Sequence, residues 1–71
     1  MSKIKKEDLI KLSSSEIKQF YEAEHYQNIK NPIIKEYVSG GKDTYTIRNR
    51  ISRVGRLLNL IIVERFLSNT L

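Results

Sequence analysis

A chain of 71 residues with no cysteine, carrying 13 basic and 8 acidic side chains for a net charge of +5, is one small domain and excludes several classes of protein. Disulfide staples are impossible, and one histidine without a thiol cannot complete a tetrahedral zinc set, so neither a metal nor another cofactor is expected. The positive excess on so small a body points to a polyanion or an acidic protein as partner.

A domain of this length buries only about 60% of the surface its unfolded chain exposes. Such domains usually need a staple. With disulfides and zinc set aside, self-association is the remaining support, and a homodimer is expected. The lack of cysteine fits a reducing compartment. The opening run Met1 to Asp8 is charged and does not read as a secretory signal. The most apolar run, Leu57 to Val63, falls far short of the roughly 20 residues that cross a bilayer. The expectation is a soluble, cytoplasmic protein with no membrane partner.

In chain order, residues 6–12 predict a short helix with Leu9, Ile10 and Leu12 as its apolar positions. Ser13-Ser14-Ser15-Glu16 reads as a capping box, in which Ser13 accepts the Glu16 amide and the Glu16 side chain reaches back. The helix that follows is predicted over about 14–28, with Ile17, Phe20 and Tyr21 on one stripe. Asn31-Pro32 opens the next helix, about 32–39, because Asn caps well and Pro tolerates the first helical position. Ile33, Ile34, Tyr37 and Val38 give it helical spacing, and Gly40-Gly41 ends it in the left-handed conformation that glycine adopts freely.

A further helix starts after Asp43 or Thr44 as its cap. Ile47, Ile51, Val54 and Leu58 fall within about 60° of one another on a 3.6-residue wheel, which predicts one buried stripe. Arg48, Asn49, Ser52, Arg53 and Arg56 occupy the remaining arc. Beyond Leu57 the residues are apolar on every side of a helix. Either Asn59 ends the helix and Leu60 to Phe66 forms a strand, which the Ile-Ile-Val run slightly favours, or the helix continues to about Ser68 with its apolar surface buried in a dimer.

The charge is divided along the chain. All eight lysines precede residue 43, and residues 1–43 also hold seven of the eight acids. All five arginines follow, and Thr44 to Val63 contains four of them and no acid. A short capped helix, a glycine turn and an amphipathic helix with arginines outward match the physical plan of a helix-turn-helix, whose second helix lies in the major groove. Arginine suits that face because its planar fork bonds bidentately to guanine or to phosphate. Asn49 carries the amide that pairs with adenine, and Thr44, Tyr45, Thr46 and Ser52 place hydroxyls near a helix N-terminus, itself an anion site.

Thr46-Ile47-Arg48-Asn49-Arg50-Ile51-Ser52-Arg53-Val54, followed by Leu57-Leu58-Asn59-Leu60-Ile61, resembles the recognition helix and following strand of winged-helix repressors. Those often read Thr-Val/Ile-x-x-Arg-Ile-x-Arg-Leu, then Leu-Gly-Leu-Ile. The resemblance implies a mainly α, winged-helix-like domain of three to four helices that binds duplex DNA as a transcriptional regulator. It implies that residues 44–50, Arg50 among them, meet base edges and that Arg53 and Arg56 meet the backbone. Such a protein would be associated with the nucleoid.

Plainer readings stand beside this one. An arginine face can simply be solvated, and the Ile47 to Leu58 stripe is core. His25 reads as a surface residue, and Glu16, Glu22 and Glu24 as a solvated face. Of the tyrosines only Tyr45 is placed for a phosphate; Tyr21, Tyr26 and Tyr37 read as half-buried core. No nucleophile–base pair or glycine phosphate loop suggests an enzyme. The alternative functions are a protein-interaction module working through residues 57–67 and an RNA-binding protein. In either the dimer or the interaction reading, Leu57, Leu60, Ile61, Ile62, Val63 and Phe66 form the contact surface.

Overall fold

The structure, a computed structural model, describes residues 3–70. Met1 and Ser2 of the charged opening run, and Leu71, lie outside it. The chain is mainly helical: α1 spans Lys6–Leu9, α2 Ser14–Glu22, α3 Pro32–Ser39 and α4 Thr44–Thr70, with a 3₁₀ turn at Tyr26–Asn28. No helix is long and apolar enough to cross a membrane among the described residues.

The local signals at helix starts act as the residue chemistry dictates. Ser13 Oγ accepts the Glu16 amide at 3.2 Å, and Glu16 Oε1 accepts the Ser13 amide at 3.1 Å. Asn31 Oδ1 accepts the amides of Ile33 and Ile34 at 3.0 and 3.1 Å, with Pro32 as the first helical residue. Each such cap satisfies donors that the helix itself leaves unpaired and contributes about 1 kcal/mol.

The core is a single cluster. Leu9, Ile17, Phe20, Ile34, Val38, Val54, Leu58 and Ile61 are buried, with Ile4, Leu12 and Ile29 completing it. Full burial of a side chain of this size stabilises by about 1.5–3 kcal/mol. The stripe predicted on α4 from Ile47 to Leu58 faces inward, and α1 and α3 pack against α4.

Four expectations are corrected. The helix expected over 14–28 stops at Glu22, where Ala23 turns to an extended conformation. Continued at about 100° per residue, the helix would carry Tyr26 and Ile29 to the side opposite Ile17. The break lets Ile29 enter the core and Tyr26 pack against it. Helix α1 is likewise shorter than 6–12, since the chain turns at Ile10 and Lys11 to bury Leu12.

The strand considered for Leu60 to Phe66 is helix: α4 runs unbroken for 27 residues. Ile61 and Arg65 continue the inward line of Leu58 at i+3 and i+7, and Ile61 is 1% exposed. Arg65 Nη2 donates to the carbonyls of Ile10 and Leu12, which joins α4 to the loop after α1. Lys6 Nζ reinforces the junction with an ion pair to Glu64 Oε2 at 2.5 Å. A lone strand would have had no ladder partner among the described residues, whereas the helix bonds its own backbone.

The glycine turn is where the sequence places it, but for a different reason. No glycine has a positive φ; Gly40 lies at φ −76°, ψ −2°. Glycine is needed for space. A Cβ on Gly41 would come within 2.7 Å of Ile47 Cγ1 and 3.1 Å of its amide nitrogen. Gly55, in mid-helix, has nothing within 4 Å of its would-be Cβ. Opposite outcomes therefore follow in urea melts: Gly41→Ala lowers stability by about 1–3 kcal/mol through overpacking, and Gly55→Ala raises it by about 0.5–1 kcal/mol through backbone entropy.

Candidate nucleic-acid interface

The turn at residues 40–43 sends the chain from α3 into α4, and Asp43 sets the start of the second helix. Its Oδ1 accepts the Thr46 amide at 2.8 Å. That bond, then one with the Thr46 side chain, holds the Asp43 carboxyl below its ordinary value. The N-terminus of α4, read from the sequence as a site for phosphate, is thus occupied by the protein's own carboxylate, and Thr46 is engaged with it. Thr44 is exposed beside it, and so is Tyr45, at 74%.

The five arginines divide into two groups. Arg50 is turned back onto α3: its Nη1 donates to the Tyr37 carbonyl at 2.6 Å, and its guanidinium lies 5.0 Å from the centre of the Tyr37 ring. A guanidinium at the C-terminal end of α3 meets carbonyls that have no helical partner and the negative end of the helix dipole. Stacking over the ring adds a cation–π attraction. Gly40 allows the approach, since a Cβ there would stand 3.0 Å from Arg50 Nη1. Arg65 performs the matching task at α1. Both are structural connectors, and the base contact expected of Arg50 would require its guanidinium to leave Tyr37.

Arg48, Arg53 and Arg56 are exposed, as are Asn49 and Ser52. At about 100° per residue the three guanidiniums share an arc of about 140° on the outer side of α4. None of them is in an ion pair among the described residues. The nearest acid in sequence on α4, Glu64, is held by Lys6. The side wall of this face is fixed by Tyr21 of α2, whose hydroxyl lies 2.7 Å from Asn59 Oδ1 and 3.0 Å from the Gly55 carbonyl. Burial pushes that hydroxyl's pKa up.

The six residues expected to form a contact surface at the other end of α4 also separate. Ile61 is buried in the chain's own core and Leu57 packs against it. Leu60, Ile62, Val63 and Phe66 are exposed, and Leu67 joins them at 56%. The connectors Arg50 and Arg65 lie beside or on the inward line of α4, Arg50 about 60° from Ile47 and Arg65 level with it, and so differ in spacing from the three outward arginines. The signal that marks Arg65 is its place on the inward line of Leu58 and Ile61, where a charged head needs a carbonyl partner.

His25 is exposed, beside Tyr21, Tyr26 and Gly55 along an open cleft. No group of three side chains able to hold a metal ion is found among the described residues. Comparison with known protein families, with characterised proteins and with solved structures finds no match to this chain.

Replacing Arg50 with Ala should lower stability by about 1–2 kcal/mol, since it frees a partly buried carbonyl from a charged donor. Arg53→Ala should stay within about 0.5 kcal/mol of the parent in the same melts. Asp43 gives a pH signature. Its depressed folded value means that its stabilisation is present above the ordinary carboxylate value and is lost as pH falls through the folded one. Asp43→Asn, which keeps the cap without titrating, should show a smaller loss of helical circular dichroism over that acid range.

Proposed function

We propose that this chain is a DNA-binding protein of helix-turn-helix character, acting as a small transcriptional regulator. The observation that carries the reading is the trio Arg48, Arg53 and Arg56, exposed on one side of α4 and unpaired with the protein's own carboxylates among the described residues. Three desolvation-free guanidiniums beside an amide and a hydroxyl form a surface suited to a duplex: phosphates for the arginines, a base edge for Asn49, a phosphate oxygen for Ser52. The winged-helix resemblance is then carried by α3, the glycine turn and the first half of α4, without a wing.

Relative to the sequence expectation, the contact surface moves along the helix. Asp43 guards the N-terminal turn, which disfavours a phosphate at Thr44 and Thr46, and Arg50 braces α3 against α4. The work of binding falls to residues 48–56, with Tyr45 at the rim. Duplex DNA is favoured over single-stranded RNA because the exposed face around these arginines offers Tyr45 alone as a stacking platform.

Salt titration of binding to a fluorescent duplex tests this. Three phosphate contacts at about 0.9 each give a slope near −2.7 in log K against log salt concentration. The double variant with Arg53→Ala and Arg56→Ala should bring the slope close to −0.9, with unchanged circular dichroism. A parent protein that fails to bind any duplex at low salt sinks the proposal, and tighter binding to single-stranded RNA would redirect it.

A further inference from the structure

Past the cationic half, α4 carries an apolar stripe that its own chain leaves uncovered. Leu60, Val63 and Leu67 stand at i, i+3 and i+7, the spacing of a coiled-coil seam. They are 53%, 54% and 56% exposed, with Phe66 at 68% on the flank. They point away from Leu58, Ile61 and Arg65, which face the core. We propose that this stripe pairs with the same stripe of a second copy of the chain, the two helices antiparallel, with Val63 of each copy against Leu67 of the other.

The distribution of charge favours a second copy in this direction. Followed toward the helix start, the stripe continues through Arg56 and Arg53. A parallel pair would set each of these against its own counterpart, like charge on like charge. An antiparallel pair sends them to opposite ends. In the register proposed, residues 60–70 of the two copies overlap, and the two charged side chains in that span, Glu64 and Arg65, are each engaged within their own chain. The antiparallel overlap therefore sets no free charge against another across the seam.

The border of the seam supports the same pairing. Glu64, the acid beside the stripe, is paired with Lys6 of its own chain, so it does not bring a bare carboxylate to the contact. Ile62 lines an open cleft with Ile17 and Tyr21 on the α2 side of the helix, away from the seam. Neither Leu60, Val63 nor Leu67 belongs to the buried core, so the chain can fold first and pair afterwards. One consequence rests on the DNA reading: the two 48–56 segments lie about 40 Å apart along the paired helices, at 1.5 Å per residue. That is near the roughly 34–36 Å of one turn of B-DNA, the separation of successive half-sites.

Sedimentation equilibrium without nucleic acid reads the pairing independently of any DNA binding. The parent chain should sediment at twice its 8.3 kDa mass. Val63→Glu and Leu67→Lys should each return it to the single mass with helical circular dichroism retained. Because the chain has no cysteine, disulfide trapping reports direction cleanly. A mixture of Val63→Cys and Leu67→Cys proteins should form the mixed disulfide in preference to either self-linked one. A parent protein that stays at the single mass throughout a concentration series overturns the proposal. So do folded variants that remain dimeric, or self-linked disulfides that dominate the mixture.

Discussion

Helices of 4, 9 and 8 residues, the lengths of α1, α2 and α3, are too short to persist alone in water, where about 12–15 residues are marginal even for good formers. Their existence depends on burial against the inward stripe of α4, where Val54, Leu58 and Ile61 are almost wholly removed from solvent. That stripe is the constraint from which the rest follows. The core built on it fixes where α2 must stop, because Ile29 has to enter that core and Tyr26 to pack on it. It also fixes the rotation of α4, and with it which side chains point away.

The same constraint separates arginines that are chemically identical. A guanidinium near the inward line loses water and has to find acceptors, and the acceptors at hand are helix-end carbonyls: Tyr37 for Arg50, Ile10 and Leu12 for Arg65. Arginine rather than lysine fits this task, since its fork can serve two carbonyls at once while its stem packs on apolar neighbours. Arg48, Arg53 and Arg56 keep their hydration and hence their availability. Three of the five arginines of α4 thus remain free, and they lie on the outward face of its first half.

Much of the fold was legible where the signal is local. The Ser13–Glu16 box, the Asn31-Pro32 start and the stripe from Ile47 to Leu58 depend on residues within a turn or two, and each stands as its chemistry suggests. What depended on distant partners was less visible. The end of α2 is set by core residues beyond it, not by a breaker within it. Helix in residues 60–66, against the β-branched preference of Ile61, Ile62 and Val63, is set by Arg65 finding Ile10 and Leu12 some fifty residues away. The role of Gly41 was misread because a left-handed turn and a tight approach ask for the same residue. The outward arginine arc was readable from the wheel, which also sets Arg50 beside the inward stripe; the acceptor it finds there, the Tyr37 carbonyl, was not.

The unbroken run of α4 has a mechanical corollary. Its 27 residues form a rod of about 40 Å at 1.5 Å per residue, close to the 43 Å long dimension of the whole molecule. With the backbone ladder continuous from Thr44 to Thr70, there is no joint to absorb a reorientation at one end. A tilt of about 5° imposed near Leu67 displaces the far tip by about 3 Å over that length. Whatever grips the greasy tail of this rod therefore also aims its basic head.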